Sequence, residues 1–302
     1  MNDLISFLRI PSISALPEHA GDVRRAAEFV RDWLAAAGLD NSRLIEDTGG
    51  AGNPLVYAES LRAPGKPTLL LYGHYDVQPP DPLEEWSSPP FEPVIRNGNI
   101  YARGAADDKG QLYILMESVA RCLREHGRVP VNVKFLIEGE EESSGEHIDH
   151  YVPLHAAELR ADAAVICDTA MFAPGLPTLT TGLRGIVYGE IHVQGSRTDL
   201  HSGDYGGAAP NAVEAAAQIV CALKDREGHI RIPGLYDRVQ PPSPAELDAW
   251  RSLPFDAEAY REREIGASAL TGEPEIPLFE RLWSRPTLEL HGIRGGFTGG
   301  GS

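Results

Sequence analysis

Four short stretches hold side chains that could do chemistry together. They are His74 and Asp76 in "GHYD", Asp107 and Asp108 in "RGAADDKG", Glu140, Glu141 and Glu142 in "EGEEESSG", and Asp168 after "AAVIC". Like charges crowded this closely repel, so such a run persists either in full solvation or around a cation that neutralises it. One imidazole and several carboxylates suit a divalent ion such as zinc. With no cysteine in the set, an open catalytic site is expected rather than a structural knot. This many carboxylates can balance two cations bridged by a water or hydroxide. His74 and Asp76 stand two apart in extended chain and point the same way, so the carboxylate can hold the far imidazole nitrogen.

Three of these groups follow apolar runs that would place them, and the Asp107–Asp108 pair leads directly into a helix. "TLLLY" at 68–72, "VNVKFLI" at 131–137 and "AAVIC" at 163–167 read as strands covered on both faces, and ligands in open α/β sheets gather at the carboxyl ends of such strands. Between the first two lies "KGQLYILMESVARCLREHG", where Leu112, Leu115, Met116, Val119 and Leu123 mark a helix ending near Gly127. An earlier helix is marked by Val23, Ala27, Val30, Leu34 and Ala37, with Gly38 at its expected C-terminal cap. Strand, helix, strand in this order predicts an α/β fold, a mostly parallel sheet flanked by helices. Near residue 182 the texture changes. "RGIVYGEIHVQGS" alternates, with Val187, Ile191 and Val193 on one face and Tyr188, Glu190 and His192 on the other, which predicts a half-exposed strand opening a smaller α+β domain. The expected division is 1–182 and 183–302. The proline-rich stretch 233–286 reads as an irregular excursion with a helix around "PAELDAWRSL", and the glycine-rich "GGFTGGGS" at the end as a turn or hinge.

The strings "LLLYGHYDVQP", "EEWSSPPFEPVIRNGNIYARGAADDKG", "EGEEESSG", "VICD", "GLRGIVYGEIHVQG" and "DLHSGDYGGAAPN" occur in that order. Together they resemble the di-zinc amidohydrolase superfamily of carnosine dipeptidases, acetylornithine deacetylase, succinyl-diaminopimelate desuccinylase and glutamate carboxypeptidase. The resemblance runs from about the first helix to the last residue, and "WSSPPFEP" and "DDKG" are closest to its dipeptidase-like branch. It implies a zinc exopeptidase-like catalytic domain and a lid domain through which a homodimer forms. It also implies two Zn2+ per subunit, with Co2+ or Mn2+ as substitutes. His74 and Asp168 would ligate one metal, Glu142 the other, and Asp107 would bridge them. Glu141 would be the general base for a zinc-bridged hydroxide, Asp76 would orient His74, and His201 in "DLHSG" would polarise the scissile carbonyl across the dimer. Two registers stay open: Glu140/Glu141 against Glu141/Glu142, and Asp108 against Asp107. The implied substrate is a dipeptide or an N-acyl amino acid.

A net charge of -17, from 27 Lys+Arg against 44 Asp+Glu, argues against nucleic acid or an anionic membrane as partner. Three scattered cysteines, Cys122, Cys167 and Cys221, suggest no disulfide framework, and with no leader or membrane-length apolar window a cytoplasmic protein is expected. The chain stops at Ser302 inside the implied lid, short of the final metal-ligating histidine of the resembled family. His291 follows the "TLEL" strand and cannot replace that histidine. A fragment of a longer enzyme is therefore expected, with an inactive binding or dimerisation piece as the competing reading.

Overall fold

A computed structural model describes residues 1–46, 52–143 and 145–296, and divides the chain into two units, Met1–Leu179 and Thr180–Ser302. The first unit opens with helix α1 (Asn2–Leu8) and α2 (Ala20–Ala36). Strands β1 (Asp40–Ile45), β2 (Leu55–Ser60) and β3 (Thr68–His74) follow, then a small hairpin of β4 (Val94–Arg96) and β5 (Asn99–Tyr101). Helix α3 (Lys109–His126), strand β6 (Asn132–Glu138), helices α4 (Glu146–Leu154) and α5 (Ala156–Leu159) and strand β7 (Ala163–Ile166) complete it.

The sheet order is β1-β2-β6-β3-β7. β6 and β7 lie parallel to β3, while β2 runs antiparallel to both β1 and β6, so β2 alone is reversed among these strands. The sheet is therefore mostly parallel. The register pairs His74 with Glu138 and Tyr72 with Ile166, so the carboxyl ends of β3, β6 and β7 form one rim.

Alternation along β6 explains the two-sided burial. Val133, Phe135 and Ile137 join Val23, Val30 and Leu34 of α2 and Leu112, Met116 and Val119 of α3 in one cluster. Leu136, on the opposite face, packs with Leu55, Tyr57, Tyr151 and Leu159. Helices on both faces force the strand to be apolar almost throughout, which is why it reads as an unbroken run. Gly127 takes φ +68° at the end of α3 and donates its N–H to the Leu123 carbonyl, the left-handed cap expected there.

The second unit holds α6 (Ser202–Tyr205), α7 (Ala212–Leu223), α8 (Pro244–Arg251), α9 (Ala257–Ala259), a π-helical turn (Tyr260–Ile265) and α10 (Leu278–Trp283). Helix α8 falls on "PAELDAWRSL" and opens with a capping box between Ser243 and Glu246. Rings order this proline-rich stretch: Phe279 stacks on Trp283 at 4.3 Å, and Phe255 and Trp250 close around them. The strand expected from the alternation at 184–196 does not form. Val187 is 95% exposed and Tyr188 78%, so neither face of the alternation is covered. A half-exposed strand needs a neighbour for its backbone groups, and no strand ladder is found among the described residues of this unit. "GGFTGGGS" lies mostly outside the described residues. Among those described, no helix is long and apolar enough to cross a membrane.

Candidate metal centre

His74 ends β3 with its side chain fully buried, and its backbone N–H donates to Asp108 Oδ2 at 3.0 Å. Gly73 makes room for that contact, since a Cβ there would stand 2.8 Å from the same oxygen. His74 Nδ1 lies 3.2 Å from Asp76 Oδ1, while Nε2 lies 3.1 Å from Asp107 Oδ1 and 3.8 Å from Asp168 Oδ2. Ligand atoms of His74, Asp107 and Asp168 all lie within 4.8 Å of one another, and so do those of His74, Glu141 and Glu142. Five side chains from the ends of three strands and the start of α3 thus meet at the rim.

The neighbouring acids face elsewhere. Glu140 is buried and accepts the Asn53 N–H at 2.8 Å and the His147 N–H at 3.4 Å. Asp108 is wholly buried behind His74, whereas the Asp107 side chain is 58% exposed. Asp76 is held in turn by the Glu142 N–H, at 3.1 Å from its Oδ2. His201 belongs to the second unit. It caps α6, and its Nδ1 accepts the Gly203 N–H at 2.9 Å.

Sequence reading missed the groups that hold these residues. Gln78 Nε2 donates to Glu142 Oε2 at 2.8 Å, and Lys109 anchors the start of α3 from a fully buried position. The signal for Lys109 was present, a lysine directly after paired aspartates at a helix start. Gly110 lets that start fold against the preceding loop, since a Cβ would fall 2.1 Å from the Ala105 carbonyl oxygen.

Burial holds Glu141, Glu142 and Asp168 above the usual carboxylate range, and neighbouring carboxylates push the same way. Burial would depress His74, but the hydrogen bond and charge of Asp76, with Asp108 and Asp168, outweigh it and raise the imidazole to about 10. This is a half-buried cluster of acids around one imidazole, and among the described residues no lysine or arginine forms an ion pair with Asp107, Glu141, Glu142 or Asp168. Imidazole nitrogen and carboxylate oxygen are donors that zinc accepts, so the residues fit a metal centre.

The same shifts set an expected pH response. Burial raises Asp108 and Glu138 to about 7 each, from ordinary values of 3.8 and 4.5. A carboxyl whose folded pKa lies above its unfolded value stabilises the fold below the unfolded pKa, and that contribution is lost as pH rises through the folded one. Lys109, pulled down by burial from 10.5 to about 7, opposes this, but mostly above the window concerned. The metal-free chain should therefore show a higher urea midpoint at about pH 5 than at about pH 7.5, and zinc should remove the difference by binding the deprotonated ligands. A midpoint no higher at the acid end would mean that these carboxyls are solvated.

The family model of peptidase family M20/M25/M40 matches residues 70–273. The chain is 36% identical over 253 residues to the Cys-Gly metallodipeptidase dug1 of Schizosaccharomyces pombe, covering 82% of this chain and 53% of the relative. It is 33% identical over 246 residues to the human Beta-Ala-His dipeptidase, covering 81% of this chain and 48% of that protein. Among solved structures, an M20 family metallo-carboxypeptidase from Sulfolobus solfataricus, Sso-CP2, aligns with a TM-score of 0.79 and 32% identity over 99% of this chain and 66% of its own. The chain spans about half the length of these two dipeptidases.

Proposed function

Because the chain belongs to peptidase family M20/M25/M40, we propose that it supplies the metal-binding part of a hydrolase that cleaves the amide bond of a dipeptide. The observation that carries this is the rim itself, with His74 shared by Asp107 and Asp168 on one side and Glu141 and Glu142 on the other. His74, Asp107, Glu142 and Asp168 would hold two zinc ions. When bound, the pair would supply Lewis acidity, polarising the scissile carbonyl and making water acidic enough to attack as hydroxide near neutral pH.

The remaining work falls to side chains. Asp76 takes His74 Nδ1, which leaves Nε2 as the ligand nitrogen. Glu141, raised by burial, accepts the proton of the attacking water and returns it to the leaving amine. His201 accepts at Nδ1 from Gly203, so its proton sits on Nε2, free to donate to the oxyanion. The rim lies wholly in the first unit and His201 in the second; a homodimer would let a partner subunit supply that histidine. Free Cys122, Cys167 and Cys221 agree with a reducing, cytoplasmic setting. A dipeptide is preferred over an N-acyl amino acid because the matched relatives are dipeptidases by name.

Dialysis against a chelator should remove most hydrolysis of Cys-Gly and β-Ala-His dipeptides, and zinc, cobalt or manganese should restore it. Activity indifferent to chelation would overturn the metal reading. Faster turnover of N-acetyl amino acids than of any dipeptide would move the substrate to the acylated class.

A further inference from the structure

The loops of the rim are also joined by a path of hydrogen bonds through the N-terminal segment, which the proposed chemistry does not use. Lys109, the residue after Asp108, has no exposed surface. Its Nζ donates to the Ile10 carbonyl at 2.6 Å and the Phe7 carbonyl at 3.3 Å, and stands 4.9 Å from the centre of the Phe7 ring. The Ile10 carbonyl also accepts the Ser12 N–H at 2.9 Å. Ser12, equally buried, donates its hydroxyl to the Tyr75 carbonyl at 2.7 Å, and its own carbonyl takes the Val77 N–H at 3.0 Å. An unbroken path therefore runs from the loop of Asp107 to the backbone between His74 and Asp76.

Desolvating an ammonium is costly, and an alkyl side chain would fill the same space without that penalty. What the lysine provides is its donors, aimed at carbonyls whose positions fix where the N-terminal segment sits. Resting on the metal reading, we infer that Lys109 and Ser12 are positioning residues. Through Phe7–Ser12 they set the separation between the His74 and Asp107 loops and so preorganise the metal ligands.

Lys109→Met keeps the stem and removes the donors, and Ser12→Ala removes the hydroxyl. Cobalt titration of the full chain against a competing chelator should show Kd raised roughly tenfold to a hundredfold in each, as for other groups that orient metal ligands. The visible cobalt band should change with it. The double variant should fall near the weaker single one, because both break one path. Val30→Ala, in the same core but off the path, should lower the unfolding midpoint while leaving Kd and the band at wild-type values. If Lys109→Met and Ser12→Ala behave like Val30→Ala, the inference is overturned; should Lys109→Met fail to fold, Ser12→Ala decides alone. A wild-type chain that binds no cobalt overturns the metal reading and this inference together. Tight wild-type binding with unchanged binding in the variants overturns this inference alone.

Discussion

Glu141→Gln is expected to lower turnover by a factor of roughly 10² to 10⁴ while metal content stays at the wild-type level. The exchange preserves size and polarity and removes only the ability to take a proton. Glu141 and Glu142 both approach His74 and both are raised by burial, so proximity does not separate them. Their restraint does. Gln78 fixes the Glu142 carboxylate and the Glu142 N–H is bonded to Asp76, whereas among the described residues no hydrogen bond holds the Glu141 carboxylate. A fixed carboxylate suits a ligand and a freer one suits a base that must reach two partners in turn. Glu142→Gln should accordingly lose metal, measured by elemental analysis after gel filtration. The opposite pattern, metal lost from Glu141→Gln and kept in Glu142→Gln, would exchange the two roles.

His201→Ala is expected to cut turnover by roughly 10² to 10³, the usual effect of removing one donor to an oxyanion, with no change in zinc content. The side chain is 76% exposed, and its Nδ1 accepts the nearby Gly203 N–H and stands 4.0 Å from Asp204 Oδ2, contacts confined to the turn, so its removal should leave the fold intact. If a partner subunit supplies it, mixing His201→Ala subunits with Glu141→Gln subunits should restore part of the activity, because a mixed dimer retains one site with both groups. No recovery despite demonstrated subunit exchange would place its action within a single chain. Unchanged turnover in His201→Ala would leave the histidine as a turn residue.

How much of this was legible in the sequence varied with the kind of signal. β3 and β6 announced themselves because burial demands unbroken apolar runs, and α2 and α3 because period and terminal glycines agreed. β7 was found from its apolar run as well, but the cover expected on both its faces is absent among the described residues, where most of the strand is exposed. β1 and β2 were missed. β1, at the sheet edge, carries Asp40, Asn41, Ser42 and Arg43, and an edge strand needs no apolar run. The β4–β5 hairpin could have been read from Asn97-Gly98, both of which take positive φ in the turn, 51° and 80°. At 184–196 the alternation misled, because a period of two shows only that a strand could be amphipathic, not that a neighbour exists to pair with it. Within the site, His74, Asp107, Glu141, Glu142 and Asp168 were legible because their chemistry lies in their side chains. Ser12 was not, because its hydroxyl serves the backbone carbonyl of Tyr75, and a carbonyl leaves no mark on residue identity; Lys109 stood out by its place after the paired aspartates, but nothing in the sequence named the Phe7 and Ile10 carbonyls it serves.

The position of β7 has a thermodynamic consequence. Among the described residues it is the outermost strand on its side, with four residues and β3 as its one neighbour in the sheet, and most of it is exposed. Asp168 hangs just beyond it. An edge element with so few contacts opens locally at far lower free energy than the β3–β6 centre. Any ion gripping Asp168 together with His74 must therefore bear the cost of keeping β7 docked, and its measured affinity is the intrinsic one reduced by that opening equilibrium. By reciprocity the ion protects β7: amide hydrogens of Ala163–Ile166 should exchange slowly in the loaded protein and quickly in the stripped one, while those of Val133–Ile137 barely respond.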